Sequence, residues 1–166
     1  SLWSQILGRA VLDQKKGEYL EAIPMMHVQW QQWLTRHPDT WVMSRDTDYR
    51  GIRYDRVPES YRGYERTRRL LFPASKKDNR FHPKTWVLGV ELDGVSKAYP
   101  FTELQKTAGV VVDRLGDQTV EIRYADNAAW AEDGAGKVLP AIRLYWFAWF
   151  AFHPDTAVFE APASDN

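Results

Sequence analysis

Residues 85–99 decide the fold class. They read Thr85-Trp-Val-Leu-Gly-Val-Glu-Leu-Asp-Gly-Val-Ser-Lys-Ala-Tyr99. Two runs rich in β-branched and aromatic residues flank an Asp-Gly pair, which is typical of a β-hairpin. We therefore predict strands over residues 85–92 and 95–99, joined by a tight turn at Asp93-Gly94.

The chain around this hairpin continues the same alternation of strands and turns. Pro100 is suited to the start of a short helix through Lys106, with Phe101 and Leu104 facing inward. Further strands are predicted, and a segment rich in Ala, Asp and Gly is predicted to be a loop. The strands cover 110–113 and 119–124, with a turn at Gly116-Asp117 between them, and the loop covers 125–137. The prediction is an α+β fold with a mainly antiparallel, curved sheet and a few short helices.

A second feature is a repeated pattern. Residues 30–42 read Trp-Gln-Gln-Trp-Leu-Thr-Arg-His-Pro-Asp-Thr-Trp-Val, and residues 146–158 read Trp-Phe-Ala-Trp-Phe-Ala-Phe-His-Pro-Asp-Thr-Ala-Val. Both contain Trp-x-x-Trp followed by His-Pro-Asp-Thr and a later Val. A weaker echo, without the tryptophan pair, begins at His82-Pro.

Each copy of the repeat predicts a helix, a Pro-Asp turn and a strand. The aromatic residues and the histidine fall at helical spacing on one face, and proline cannot continue the helix. Two such units predict an internal duplication of the fold. The residues on the two faces are Met26, Trp30, Trp33 and His37 in the first copy, and Ile142, Trp146, Trp149 and His153 in the second.

Composition excludes several classes of protein. The 166 residues carry 22 basic and 22 acidic side chains, so a globally basic nucleic-acid binder is not expected. With 44% apolar residues the chain can form a core, and without cysteine it can form no disulfide. The longest apolar run, residues 144–152, is too short to span a membrane. We expect one domain over residues 1–160 and a flexible tail over 161–166.

The order of motifs resembles the bacterial domain-of-unknown-function family DUF3179. The motifs are Ser1-Leu-Trp-Ser-Gln, the two His-Pro-Asp-Thr units, Leu71-Phe-Pro-Ala-Ser, and the segment from Val87 to Pro100. The resemblance implies that this chain is the C-terminal half of a longer protein that is exported, periplasmic or lipid-anchored. It also implies a cysteine motif on the other half. It carries no established activity.

The histidines are the candidate metal ligands. Neutral imidazole binds Zn or Cu, and nearby aspartates can ligate the metal or orient the ring. Alternatively, each histidine closes its helix and bonds a terminal carbonyl, because the short spacings common in metal sites are missing. We therefore predict no cofactor, with Zn or Cu as the alternative. The candidates are His37, His82, His153, Asp39 and Asp155.

Two aromatic regions are candidate interaction surfaces. Residues 45–80 predict a long loop, with eleven basic against six acidic side chains and interleaved tyrosines, suited to an anionic ligand or a partner. The second predicted helix is apolar on most sides, so we expect another chain to cover it. The candidates are Tyr49, Tyr54, Tyr61, Tyr64, Arg66, Arg68 and Arg69 in the loop, and Trp146, Trp149 and Phe150 on the helix.

No motif for nucleophilic catalysis or phosphate binding is present in the sequence. The leading hypothesis is a non-catalytic structural or interaction module that docks to its other half or to another subunit. The first alternative is a periplasmic metal- or redox-linked enzyme whose cysteines lie on the other half. The second alternative is a carbohydrate or small-ligand binder that uses Trp and Tyr side chains.

Overall fold

The structure is a computed structural model that describes residues 1–44, 46, 61 and 63–163. Within these ranges no helix is long and apolar enough to cross a membrane. The elements in chain order are β1 (Leu2–Ser4), β2 (Arg9–Leu12), α1 (Trp30–Arg36), β3 (Trp86–Leu92), β4 (Val95–Pro100), α2 (Phe101–Leu104), β5 (Val110–Leu115), β6 (Gln118–Ala125), β7 (Ala128–Asp133), β8 (Val138–Leu139), β9 (Ala141–Tyr145), α3 (Trp146–Phe152) and β10 (Ala157–Val158).

The strands form two four-stranded sheets and a separate hairpin of β1 and β2. The first sheet has the order β10-β4-β3-β9, and the second has the order β5-β6-β7-β8. Only β10, which runs parallel to β4, departs from the antiparallel pairing of the described strands. The predicted α+β class with mainly antiparallel sheets is confirmed.

The main core lies between the two sheets. Alternate residues of β3, Leu88 and Val90, pack with Val120 and Ile122 of β6 and with small alanines of β7. The short helix α2 contributes Phe101 and Leu104, both buried as predicted. Period-two alternation therefore assigns one face of each sheet to a shared apolar layer.

The other face of the first sheet is covered by α3. Val87 and Ala98 form a second buried cluster there with Trp146 and Trp149. Gly89 lies on this face, and a Cβ built on it would be 2.3 Å from carbons of the Trp149 ring. The indole ring therefore rests directly on the backbone of β3, a position that only glycine leaves open.

The first tryptophan helix, α1, packs on the outer face of the second sheet through polar contacts. Arg36 Nη1 lies 3.4 Å from Glu132 Oε1, and its guanidinium lies 4.6 Å from the centroid of the Trp130 ring. Gln32 Nε2 donates to the carbonyl of Ala125 at 3.3 Å. The layers of the molecule are therefore helix, sheet, sheet and helix.

Two of the tight hairpin turns have left-handed backbones at both central residues. Asp93 (φ 50°) and Gly94 (φ 78°) join β3 to β4, as predicted. Asp126 (φ 49°) and Asn127 (φ 60°) join β6 to β7 in the same way. The predicted loop over 125–137 is therefore wrong, because it contains the buried strand Ala128–Asp133. Alanine is a weak strand former, so the composition of this segment does not indicate a strand.

Several predicted boundaries are also wrong. The helices begin at Trp30 and Trp146 rather than at Met26 and Ile142, and Ile142 belongs to β9. A strand follows the second His-Pro unit at Ala157–Val158, but residues 41–44 after the first unit form none. A duplication of the whole fold therefore stays a prediction.

The loop prediction over 45–80 is tested only where the structure describes the chain. A short 3-10 helix covers Tyr64–Arg66, and the rest of 67–80 has no regular element. Residues 45, 47–60 and 62 lie outside the described ranges, as do 164–166 of the predicted tail.

The turn that ends each tryptophan helix nevertheless recurs in detail. The indole N–H donates to the threonine hydroxyl, at 2.8 Å from Trp33 to Thr40 and at 3.0 Å from Trp149 to Thr156. The histidine ring stacks on the same indole in both copies, with ring centroids 4.2 and 3.8 Å apart. The related segment that begins at His82-Pro has only the backbone hydrogen bond of this turn. There the Thr85 N–H donates to the His82 carbonyl at 2.8 Å.

We predict that Gly89→Ala destabilises the fold by about 1–3 kcal/mol, because the added methyl group overpacks the Trp149 contact. Gly134→Ala is the matched control, since its Cβ would meet nothing within 4 Å. Urea unfolding of both variants measures the difference. Equal stability of the two variants would contradict the close contact.

Candidate functional site

A groove of about 470 Å³ opens on the α3 side of the first sheet. The hairpin of β1 and β2 and residues 19–25 form one wall, and β3 and β9 form the other. Tyr19 lines the groove and is largely exposed. The apolar lining includes Ile6, Leu7, Leu20, Ile23, Met25 and Ile142. The ionisable lining residues, Tyr19 apart, are Glu21, Glu91, Asp93 and His153.

His153 lies in the groove because α3 ends at this residue. Its backbone N–H donates to the carbonyl of Trp149 at 2.9 Å, and Pro154 prevents the helix from continuing. Its ring stacks on the Trp149 indole with an interplanar angle of 23°. Gly89 and Thr156 fix that indole, so the position of the imidazole is set by the core of the protein.

Glu91 follows Gly89 by two residues and therefore lies on the same face of β3. Its Oε2 lies 3.5 Å from Nδ1 of His153. The imidazole is buried, whereas the carboxylate side chain is 48% exposed. Burial lowers the pKa of His153, and the negative charge of Glu91 partly opposes that change. A neutral imidazole at pH 7 can both donate and accept a hydrogen bond.

The candidate metal ligands do not converge. Among the described residues, no group of three or more His, Asp and Glu side chains can hold a metal ion. His37, Asp39 and Asp155 are exposed. Nδ1 of His82 instead accepts the backbone N–H of Lys84 at 3.3 Å. Burial, together with the nearby charges of Arg68 and Lys84, lowers the pKa of His82.

The aromatic helix is covered by its own chain. Trp146 and Trp149 are 0% and 2% exposed, so their rings are buried within this chain, and contact of the helix with another chain stays a prediction. Phe150 is half-buried against Trp146, with ring centroids 5.4 Å apart. Both indole rings pack against β3 and β4 within the chain.

The described part of the Arg/Tyr loop is anchored by a residue that the sequence did not indicate. The ammonium of buried Lys84 donates to the carbonyls of Thr67 and Arg69 and lies 4.0 Å from the centroid of the Tyr64 ring. Burial lowers the pKa of Lys84. Tyr61 packs edge-on against Tyr64 at 6.1 Å.

The other loop candidates divide into two groups. Arg66, Arg68 and Arg69 are exposed, and Arg68 lines an open cavity of about 450 Å³ together with Lys76 and Lys77. Tyr49 and Tyr54 lie outside the described residues. The described part of the loop therefore presents exposed arginine side chains, and Tyr61 and Tyr64 are its described tyrosines.

Two residues of the groove were missed at the level of sequence. The sequence predicts a strand over residues 85–92, which contains Gly89 and Glu91, but it gives neither residue a role in a site. The available signal was the alternation Val87, Gly89, Glu91, which places a small residue and a carboxylate beside a buried valine on one strand face.

These features define an α+β protein with two stacked sheets, a tryptophan helix on each outer face and a groove of ligand size beside a histidine. A family model described as protein of unknown function (DUF3179) matches residues 1–137. The chain belongs to that family, which confirms the resemblance. The matched range ends before β8, so His153 and Trp149 lie outside it. No curated protein and no solved structure matches the chain.

We predict that Glu91→Gln lowers the pKa of His153 further, because it removes the charge that stabilises the imidazolium. NMR titration of the ring protons measures this pKa, with Asp117→Asn, a fully exposed carboxylate, as the control. A rise in the pKa, or no change, would show that Glu91 does not act on the ring.

The same group makes stability depend on pH. Since burial lowers the pKa of His153 in the folded state, the unfolded chain binds more protons just below its own value of about 6.5. The free energy of unfolding therefore falls as the pH falls from about 7 to 5.

Proposed function

We propose that this chain is a ligand-binding module whose groove accepts an elongated apolar molecule with a protonated amine at one end. One observation carries the proposal: the groove combines an apolar lining with the His153–Glu91 pair, whose Nδ1 and Oε2 lie 3.5 Å apart, and with the carboxylate of Asp93. Such a mixture of apolar lining and a few converging polar groups is typical of small-molecule sites, which have volumes of about 300–1,000 Å³.

The charge of the lining favours an amine. Three carboxylates, from Glu21, Glu91 and Asp93, line the groove, and no lysine or arginine is among the described lining residues. Asp93 is held in place because its Oδ2 accepts a hydrogen bond from Gln118 at 2.5 Å. An ammonium group can bond carboxylates directly, whereas an anionic group would be repelled.

The test compares three probes that share one apolar chain: octylamine, octanol and octanoate. Isothermal titration calorimetry is expected to give the tightest binding for octylamine and the weakest for octanoate. Glu91→Gln is expected to weaken octylamine binding about tenfold, the size of one charge-assisted hydrogen bond.

Glu18→Gln is the matched control, because Glu18 is exposed and pairs with Lys15 outside the groove. Its affinity for octylamine is expected to equal that of the unmodified chain. If octanoate binds as tightly as octylamine, or if Glu91→Gln leaves the affinity unchanged, the carboxylates of the groove do not select an amine.

A second candidate function is the interaction module predicted from the sequence. Here residues 23–43, rather than α3, would form the contact surface. Ile23, Trp41 and Met43 are 87%, 96% and 89% exposed. Large apolar side chains grouped in one segment favour a protein contact. A second copy of this chain suits the surface, because zero net charge leaves little repulsion between copies.

We predict that Trp41→Ser shifts such a dimer towards monomer in sedimentation velocity runs at increasing protein concentration. Phe72→Ser is the matched control, since Phe72 is a 74% exposed aromatic residue outside residues 23–43. A chain that stays monomeric at all concentrations would exclude self-association through this segment.

A further inference from the structure

We infer that Arg143 forms a second binding site, separate from the groove, for a small oxyanion such as a carboxylate. Arg143 lies on β9 directly after Ile142, so the two side chains lie on opposite faces of the strand. Ile142 lines the groove, whereas Arg143 pairs with Leu88 of β3, whose side chain belongs to the core between the sheets.

The guanidinium of Arg143 lies among aromatic rings. Its carbon Cζ is 4.6 Å from the centroid of the Trp86 ring and 5.0 Å from that of Phe101. Trp86 also packs against Tyr145, with ring centroids 4.1 Å apart. The rings hold the arginine by cation–π contact and shield it from water, but they offer no acceptor to its N–H groups.

Among the described residues, one donor of this arginine lacks a protein partner. Nε is sealed from solvent and makes no hydrogen bond. No carboxylate of the described residues forms an ion pair with the guanidinium. Burial lowers the pKa of Arg143, but arginine still remains charged at neutral pH. A partly buried cation without a counter-charge is costly, so an anion bound beside it would be strongly stabilised.

Arg143 is among the residues that line a cavity of about 140 Å³ at the end of the sandwich. Liquid water occupies about 30 Å³ per molecule, so this space suits a few waters or one ion of the size of acetate or phosphate. The lining is mainly polar and consists of His27, Val28, Gln29, Asp126, Asn127, Ala128 and Arg143.

The one carboxylate in this lining is already engaged. Oδ2 of Asp126 accepts a hydrogen bond from Gln32 Nε2 at 3.0 Å. Asp126 still carries its charge and reduces the attraction for an anion, but it does not pair with Arg143. The Asn127 amide and the His27 ring are further donors at the rim. Two parallel N–H bonds from a guanidinium match a planar carboxylate.

The experiment titrates the full chain with sodium acetate and, separately, with sodium phosphate, at constant ionic strength set with NaCl. Calorimetry is expected to show one saturable site, and Arg143→Gln is expected to weaken it at least about tenfold, the loss of charge-assisted hydrogen bonds. Arg114→Gln is the control, because that guanidinium is on the surface, with 71% of its side chain exposed. Acetate binding without phosphate binding would define a planar carboxylate site, and the reverse a tetrahedral one.

A second variant tests the site independently, in case Arg143→Gln does not fold. His27 is exposed, so His27→Asp is not expected to disturb the core, yet it adds a negative charge to the rim. It is expected to weaken anion binding several-fold, whereas His27→Asn is expected to leave it unchanged. In the unmodified chain, the Nε–H resonance of Arg143 is expected to shift saturably with acetate. No saturable binding of either anion, or binding that Arg143→Gln and His27→Asp leave unaltered, would overturn the site.

Discussion

The packing of α3 on the first sheet and the position of His153 both depend on the contact between the Trp149 indole and the backbone of Gly89. The contact lets α3 approach the first sheet closely enough for two tryptophans to be buried at once. It also fixes the indole on which the His153 ring stacks, and therefore where the imidazole lies in the groove. Because Glu91 is two residues further along the same strand, one packing contact sets both sides of the histidine–carboxylate pair.

The two tryptophan helices show two ways to dock a helix on a sheet. The α3 helix uses apolar area, and its docking is expected to depend little on salt. The α1 helix has no buried residue and uses Arg36, which contacts the carboxylate of Glu132 and the ring of Trp130. Burial disfavours the charge of Glu132, but hydrogen bonds from Trp130 and Arg123 hold its pKa below the usual value. Charged and polar contacts, rather than buried apolar area, therefore hold α1 on the outer face of the second sheet.

Local patterns predicted the local structure. The Asp-Gly pair at 93–94 and the alternation around it placed β3 and β4, and the His-Pro pairs placed the ends of α1 and α3. The failures occurred where local signals were weak. The alanines of β7 form a strand only because the space between the sheets takes small side chains, and Ile142 follows strand pairing with Gly89 rather than helical spacing.

The two proposed binding sites depend on contacts that are distant in sequence. The groove joins residues 5–25 to residues 89–94 and 140–153, and the Arg143 cavity joins 27–29 to 126–128. The hydrophobic periodicity of the sequence does not indicate which of these segments lie close together in the fold. The sequence did place His153 among the candidate ligands, but as a metal ligand with His37 and His82, and those residues do not converge. For the second site the sequence offers only an arginine, Arg143, within an otherwise apolar run that forms β9.

The tryptophan–histidine–threonine turn has a consequence beyond this chain. It forms with the same bonds around the exposed His37 and around the buried His153, so it does not need tertiary burial to close. Three side chains and one proline, all within the eight residues of Trp-x-x-x-His-Pro-x-Thr, terminate the helix and satisfy the indole N–H. The pattern therefore terminates a helix through local contacts alone. It can be searched for in unrelated sequences, and it can be used to end a designed helix at a chosen residue.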